Sequence, residues 1–233
     1  MIDICWLGQG GFLIATGKCR IVVDPYISDC VFKMQNLARL HPFPVALEDL
    51  KPDLVLISHD HLDHLDPEGI PQISALYPDC RYAASPRACT HLAELGMVPA
   101  ATTRMTVGSK TEFCGVSITA IPAFHSDPDA CGYLLEAEGK KIVITGDTVF
   151  KEELFLPEIH NADLLLICIN GKFGNMNEFE AVKCVEKLRP QTALPMHIGL
   201  FAENTVDPCN FVENCHKLGV KSYAMTPGAW FTV

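Results

Sequence analysis

The chain has 233 residues, of which 48% are hydrophobic and 20% charged, which is ordinary for a globular protein with a sizeable core. That length fits a single domain over residues 1–233 with a layered α/β fold. The net charge of -10 argues against non-specific binding to nucleic acid or to an anionic membrane, since both need a basic surface.

The first residues, MIDICWLGQGGFLIATG, have neither a basic segment nor a long apolar segment, so we expect no signal peptide. No stretch approaches the roughly eighteen apolar residues that a membrane span needs. None of the eleven cysteines lies in a CxxC pair, and most fall within apolar strands or helices. We therefore expect reduced thiols in a cytoplasmic protein, and neither a disulfide framework nor a Cys-rich zinc site.

The first half of the chain predicts short strands followed by strand–helix units. The runs IDICWLG, GFLIAT and CRIVVDP are separated by glycine-rich or charged turns, which is typical of antiparallel hairpins. The continuous apolar run DLVLIS predicts a buried strand, and DPEGIPQISALYP a helix with Asp66 as its cap and Pro67 at its first position. YAAS and SPRACTHLAELG repeat the strand–helix order, with Gly96 as the stop.

The second half repeats this organisation. VSITAIPA, CGYLLEAEG and KKIVITGD predict strands, with a hairpin turn at EAEGKK. The strands ADLLLICIN, TALPMH and KSYAMT then alternate with the helices NEFEAVKCVEKLRP and DPCNFVENCHKLG, and Asn177 with Glu180 forms a capping pair for the first helix. Two batches of strands, each followed by helices, predict two packed sheets with helices outside them, which is a four-layer αββα sandwich of the α/β class.

The run SHDHLDHLDP at residues 58–67 places costly polar side chains directly after the predicted buried strand. His59 and His61 are two positions apart on an extended segment, so their side chains can converge on one point. Asp63 and His64 come where the chain bends toward the helix and can face a second point nearby. Imidazole suits zinc, manganese, iron and other borderline ions, and a carboxylate admits harder ions. The motif predicts a metal site.

Three further polar residues follow apolar runs and precede turns, as His59 does. They are His125 in IPAFHS, Asp147 in VITGDT and His197 in ALPMHIG. Layered α/β folds assemble their sites at such strand ends. Taken singly, Asp147 could be a turn residue and His197 a satisfied core histidine, but together with the first motif they predict a centre for two metal ions.

The remaining histidines lack this setting. Three of them fall in or beside predicted helices, where we expect surface residues: His91, His160 and His216. His41 lies in a loop that could approach the site, and the sequence leaves its role open. Asp60, between two of the candidate ligands, is expected to be an ordinary polar residue.

The pattern His59-x-His61-x-Asp63-His64, followed by His125, Asp147 and His197, resembles that of the metallo-β-lactamase superfamily over essentially the whole chain. The resemblance implies an αββα sandwich with two divalent ions, zinc or manganese, at one edge. It assigns His59, His61 and His125 to the first ion. It assigns Asp63, His64 and His197 to the second ion, with Asp147 bridging both.

Within the superfamily, several stretches look like the L-ascorbate-6-phosphate lactonase group: WLGQGGF, DPYISD, PFPVALEDLKPDLVLISHDHLDHLDPE, INGKFGNMNEFEA and PMHIGLFAENTVDP. This resemblance implies a lactonase that opens a sugar-phosphate lactone with a hydroxide that bridges the two metal ions. Asp63 is the candidate catalytic residue that orients the nucleophile and takes its proton. Five residues are candidate substrate contacts, three of them as cationic anchors for a phosphate: Lys33, Arg39 and Lys172, with Tyr26 and Asn175.

Two alternatives remain open at this point. One is a hydrolase of the same fold that acts on another ester, a thioester, an acyl-homoserine lactone or a phosphodiester. The other is a non-enzymatic metal-binding or sensory module, which the complete ligand set argues against. The expected partner is a small-molecule substrate, with no nucleic acid and no membrane, and a homo-oligomer is compatible with a cytoplasmic enzyme.

Overall fold

The computed structural model describes residues 1–97 and 102–233. Within them, the strands form two sheets. The strands of the first sheet are β1 (Asp3–Gly8), β2 (Gly11–Ala15), β3 (Arg20–Val23), β4 (Leu54–Ile57), β5 (Arg81–Ala84), β6 (Thr102–Arg104) and β13 (Trp230–Thr232). The strands of the second sheet are β7 (Lys110–Phe113), β8 (Val116–Pro122), β9 (Cys131–Ala137), β10 (Lys140–Ile144), β11 (Leu164–Cys168) and β12 (Thr192–Met196).

The helices lie between these strands along the chain. They are α1 (Cys30–Gln35), α2 (Leu47–Leu50), α3 (Gly69–Leu76), α4 (Pro86–Glu94), α5 (Glu178–Leu188) and α6 (Cys209–Lys217), with two short 3₁₀ turns at Glu152–Leu154 and Pro157–Ile159. The sheet orders are β13-β1-β2-β3-β4-β5-β6 and β12-β11-β10-β9-β8-β7. None of the helices in the described ranges is long and apolar enough to cross a bilayer.

Strand β4 illustrates how the layers pack. Leu54 and Leu56 belong to the core that both sheets share, whereas Val55 and Ile57 pack with residues of α3 and α4. Side chains alternate between the two faces of a strand, so a strand that is covered on both faces reads as a continuous apolar run. This is why DLVLIS contains no polar residue between its first and last positions. The predicted four-layer αββα sandwich is confirmed.

Strand direction brings several strand ends to one edge. In the first sheet β3, β4 and β5 are parallel. In the second sheet β10, β11 and β12 are parallel, and β8 runs the same way because β9 is antiparallel to both β8 and β10. The sheets meet at this edge through a bond of 3.1 Å from the amide of Cys131 to the carbonyl of Ser58. Beside it, the hydroxyl of Tyr133 donates to the carbonyl of Ile57 at 2.7 Å.

Two predicted elements differ from the structure. The third helix begins at Gly69 and not at Pro67, because the buried Asp66 forms the turn before it and accepts bonds from the amides of Glu68 and Gly69. The run KSYAMT forms no strand and makes only a single bridge, between Lys221 and Thr192. The last strand is β13, which pairs with β1.

Other predictions hold. The capping box of α5 is present, with Asn177 accepting from the amide of Glu180 and the Glu180 carboxylate accepting from that of Asn177. All eleven cysteines are free, and eight of them are buried. That residues 1–233 form one domain stays a prediction.

Candidate metal centre

The structure brings all seven predicted ligands together at the shared edge of the two sheets. His59, His61, Asp63 and His64 lie on the segment that follows β4. The other three follow β8, β10 and β12, respectively: His125, Asp147 and His197. Their potential ligand atoms lie within 4.8 Å of one another in three groups. Two groups share no residue, and the remaining one combines His59 and His64 with Asp147. The strand-end positions account for this convergence.

Three imidazoles form the first group. Nε2 of His59 lies 3.0 Å from Nδ1 of His61, and Nε2 of His125 lies 3.2 Å from that same Nδ1. Burial lowers the pKa of both His59 and His61, so these rings favour the neutral form. Neutral imidazoles can point lone pairs at a common centre, which is the arrangement that a metal ion requires.

Contacts behind these rings identify which nitrogen carries the proton. Nδ1 of His125 donates to the carbonyl of Gly174 at 3.1 Å, because a carbonyl can only accept. Nδ1 of His59 lies 2.9 Å from Oγ of Ser58, a hydroxyl that itself donates to Asp24 at 2.6 Å and therefore accepts from His59. Both contacts leave Nε2 unprotonated and turned toward the other rings, as second-shell partners of metal-binding histidines do.

The second group contains Asp63, His64 and His197. Nε2 of His197 lies 3.3 Å from Nε2 of His64 and 3.4 Å from Oδ2 of Asp63. Asp147 lies between the two groups. Its Oδ2 is 3.0 Å from Nε2 of His197 and 3.8 Å from Nε2 of His125, and its Oδ1 is 3.5 Å from Nε2 of His64. This carboxylate is therefore within reach of both groups.

The chemistry of this donor set fits a divalent cation. Asp147 is only 4% exposed, and its Oδ1 has no hydrogen-bond partner, a costly arrangement for a buried carboxylate oxygen unless a cation contacts it. Burial lowers the pKa of His197, but Asp147 and Asp63 outweigh burial and raise it to about 9. Since the carboxylates attract positive charge so strongly, a metal ion and protons would compete for these imidazoles.

Sequence reasoning missed two residues that position the ligands. Asp24 accepts from the amide of Ser58 at 2.7 Å and lies 2.8 Å from Nδ1 of His64, which it orients. Gln9 donates through Nε2 to Oδ2 of Asp63 at 3.0 Å. Asp24 directly follows the apolar run of β3, which is the same position after a strand that identifies the predicted ligands, so the sequence does indicate it. Gln9 lies in the turn between β1 and β2, where the sequence indicates only a hairpin.

A cavity of about 250 Å³ opens over the centre. Its floor contains predicted ligands, and its walls come from α1 and from the segments after α1, β8, β11 and β12. The wall residues are Val31, Gln35, Leu37, Ser126, Phe173, Phe201 and Asn204. Among the described residues, no lysine or arginine lines this cavity.

The five predicted substrate contacts lie outside that lining. Lys33 pairs with Glu68 at 2.6 Å, and Lys172 donates to the backbone carbonyl of Glu203 at 2.9 Å. Arg39 donates to backbone carbonyls at 2.8 and 3.0 Å and stacks on the buried ring of Tyr26 at 4.5 Å.

Asn175 contacts Asp147, one of the predicted metal ligands. Its Nδ2 donates to Oδ2 of Asp147 at 2.9 Å. That these five residues contact a substrate stays a prediction. Of the residues outside the motif, His91 lies 2.5 Å from the carboxylate of Asp60, and His41 packs against Gly8 outside the cavity lining.

Comparison with known proteins agrees with this geometry. Residues 19–198 match the family model described as a beta-lactamase superfamily domain. A UPF0173 metal-dependent hydrolase of Thermococcus onnurineus is 34% identical, over 91% of this chain and 91% of its own. Among solved structures, the metallo hydrolase Igni18 of Ignicoccus hospitalis superposes with a TM-score of 0.80 at 23% identity, over 100% of this chain and 99% of its own.

An isothiocyanate hydrolase from Delia radicum gut bacteria shares the fold at a TM-score of 0.75 and 16% identity, over 99% of this chain and 98% of its own. At such identities the solved structures bear on the fold alone. The family model spans most of the chain and the Thermococcus relative matches nearly all of it, so the chain belongs to the β-lactamase superfamily and, within it, to the UPF0173 metal-dependent hydrolases.

Proposed function

We propose that the protein hydrolyses a small lactone or carboxylic ester at a centre for two divalent cations, zinc or manganese. The observation that carries this proposal is the position of Asp147, which lies 3.0 Å from a ligand nitrogen of one group and 3.8 Å from one of the other. A carboxylate shared between two sets of imidazoles suits a pair of neighbouring ions, and such pairs serve hydrolysis of acyl and phosphoryl groups.

Each candidate ligand has a role in this proposal. His59, His61 and His125 would hold one cation, and Asp63, His64 and His197 the other, with Asp147 between them. The bound cations would lower the pKa of water toward neutrality and polarise the carbonyl of the substrate.

The remaining steps belong to the side chains of the protein. Asp63 would orient the attacking water and accept its proton, while Gln9 holds its carboxylate through the bond from Nε2 to Oδ2. Asn175 fixes Asp147 from the other side through its bond to Oδ2. The apolar wall residues Val31 and Phe201 limit the access of bulk water to the reacting group.

The cavity favours an uncharged substrate over a sugar phosphate. The two proposed cations would offset the carboxylates of Asp63 and Asp147 on its floor, whereas its walls, within the described chain, contain no lysine or arginine to bind a phosphate. Phosphate recognition in proteins relies on arginine, lysine, backbone amides or metal ions. We therefore propose a neutral lactone or ester, and we keep the phosphorylated lactone, a thioester and a phosphodiester as competing outcomes of the test.

The test measures metal content and turnover on the same sample. Purified protein loaded with zinc or manganese is analysed for bound metal and assayed with γ-butyrolactone, a sugar-phosphate lactone, a thioester and bis(p-nitrophenyl) phosphate. We expect about two ions per chain and the highest kcat/KM for the neutral lactone, because the ligand set holds two groups of donors. Asp147→Ala should lose both metal and turnover.

Asp79→Ala serves as the matched control, since Asp79 is an exposed carboxylate outside the centre. It should retain the metal content and activity of the unmodified protein. Preference for the phosphodiester or thioester would replace the proposed substrate class. Bound metal without turnover of any of the four compounds would favour the non-enzymatic metal-binding module.

A further inference from the structure

One wall of the cavity contains an aromatic ring that faces solvent. Phe173 lines the cavity, and the residue is 64% exposed. Its backbone φ is 50°, a left-handed conformation that is a genuine outlier for a bulky residue. The left-handed backbone and the exposed apolar ring each cost free energy. Backbone strain of this kind concentrates at functional sites.

The loop that contains Phe173 is held firmly. Asn170 and Asn177 pair across its base, and the amide of Gly171 donates to the carbonyl of Met176 at 3.0 Å. Lys172, next to the ring, donates through Nζ to the carbonyl of Glu203 at 2.9 Å. The ring is therefore presented by an internally bonded loop.

The same loop is bonded to the candidate metal centre at two points. The carbonyl of Gly174 accepts from Nδ1 of His125, and Asn175 donates to Oδ2 of Asp147. A Cβ at Gly174 would lie 3.1 Å from Nδ1 of His125, so a side chain there would require His125 to shift. These contacts fix the backbone next to Phe173 relative to the candidate metal centre.

Other residues that line the cavity are also apolar. Val31 and Phe201 are buried and pack in one cluster with Leu37 against it, and all three line the cavity. The polar wall residues Gln35 and Asn204 are neutral amides. We call the part of the cavity that is lined by Phe173, Val31, Leu37 and Phe201 the slot, and these four side chains offer hydrophobic contact and carry no charge.

We propose that this slot binds a flat or unbranched hydrocarbon substituent of the substrate, next to the bond that is cleaved, and that Phe173 determines this specificity. The reaction itself rests on the proposed function above, whereas binding in the slot does not require turnover. The occupant is an uncharged substrate with an apolar tail, because the slot is continuous with the centre and the described walls offer no cation to a charged tail.

The experiment separates binding from turnover with a series of inhibitors. Acetohydroxamate, butanohydroxamate and hexanohydroxamate share one metal-chelating head and differ only in the length of the alkyl tail. Their dissociation constants for the zinc-loaded protein are measured by calorimetry. We expect affinity to rise about twofold to fourfold per methylene, the upper value corresponding to full burial of each group. In Phe173→Ala this dependence on length should largely disappear, while acetohydroxamate binds as before.

Phe179→Ala is the matched control, since Phe179 is equally exposed, at 62%, and lies on α5 outside the cavity lining. It should keep the full dependence on tail length. Equal affinities for all three compounds, an absence of hexanohydroxamate binding, or an unchanged dependence in Phe173→Ala would each overturn the proposal. If lactones and esters are not hydrolysed but the dependence on tail length is present and needs Phe173, the proposed function fails and the slot stands.

Discussion

At the scale of single residues, Asp24 is a carboxylate outside the predicted ligand set that contacts the segment after β4 at two points, Ser58 and His64. It holds both the amide and the hydroxyl of Ser58, and through Nδ1 it orients His64. Its φ of 42° is left-handed, a conformation that asparagine tolerates as well as aspartate. An Asp24→Asn substitution therefore removes the charge and one acceptor oxygen while leaving the backbone satisfied.

We expect Asp24→Asn to weaken metal binding by about tenfold to a hundredfold, the usual effect of removing a second-shell partner of a metal-bound histidine. Competition with a fluorescent chelator measures the dissociation constant. Asp163→Asn is the control, because Asp163 also accepts a backbone bond, from Lys141 at 2.9 Å, but precedes β11 at the opposite end of the sheet. Equal metal affinity in the two variants would contradict this role of Asp24.

The backbone of Phe173 allows a second prediction at this scale. Phe173→Gly and Phe173→Ala both remove the ring, but only alanine keeps a Cβ at a φ of 50°. We expect the glycine variant to be more stable than the alanine variant by about 1 kcal/mol, because glycine adopts this conformation without steric cost. Urea unfolding of both proteins measures the difference, and an alanine variant of equal or greater stability would show that the residue is not strained.

At the scale of elements, the turn between β1 and β2 packs directly on the candidate centre. A Cβ at Gly10 would lie 2.8 Å from Cε1 of His64, which is closer than real Cβ atoms approach, and His64 is fully buried. The following turn, between β2 and β3, contains Gly17, where a Cβ would meet only the side chain of Glu138.

We therefore expect Gly10→Ala to displace the imidazole of His64 and lower metal affinity by at least about tenfold, in line with other disturbances of the groups that orient metal ligands. Gly17→Ala should bind metal normally. Metal content after dialysis against a weak chelator distinguishes the two variants, and full retention of metal by Gly10→Ala would mean that the centre tolerates the shift.

Prediction from sequence succeeded where one strand carries its own signal. The apolar runs of β4, β8, β10 and β12, each followed by His or Asp, predicted both the strands and the convergence of their ends. Prediction from sequence failed where an element depends on a partner that is distant along the chain. Strand β13 has only three residues and is formed by pairing with β1. The run KSYAMT has a strand-like composition but makes only one bridge. The sequence predicts Asp66 as a helix cap, but its carboxylate also accepts bonds from the amides of Ile27 and Ser28.

The predicted phosphate anchors stay a prediction, and the contacts that their side chains make could not be inferred from the sequence. Proximity to a strand end does not reveal that Lys33 lies within reach of Glu68, or that Arg39 is taken up by the carbonyls of Tyr26 and Ile27. These contacts join residues that the sequence gives no reason to pair. The direction of a lysine or arginine side chain depends on such local partners. The sequence alone therefore does not show which cations reach the cavity.

At the scale of the whole molecule, the candidate centre connects the two sheets. Four of the seven predicted ligands follow β4 of the first sheet and three follow strands of the second, so a bound cation would join the halves of the sandwich. A ligand that binds only the folded state stabilises it by about 2.7 kcal/mol at about a hundredfold excess over its dissociation constant.

For a chain of this size, that gain corresponds to a rise in Tm of about 5–10 °C. We expect zinc or manganese to raise Tm by this amount and a chelator to reverse the change, as measured by thermal unfolding followed by circular dichroism. Asp147→Ala should show no such response. A Tm that is independent of metal in the unmodified protein would indicate that the two sheets are docked without help from the centre.

The floor and the walls of the cavity consist of different residues. The floor follows the strand ends, whereas the walls come from α1 with Leu37, from Ser126, and from the segments that contain Phe173 and Phe201. Substitutions in the walls can therefore accumulate during evolution without loss of the cation, and a lineage can exchange one substrate for another in small steps. Hydrolases that descend from one ancestor would then share their reaction and differ in their substrates.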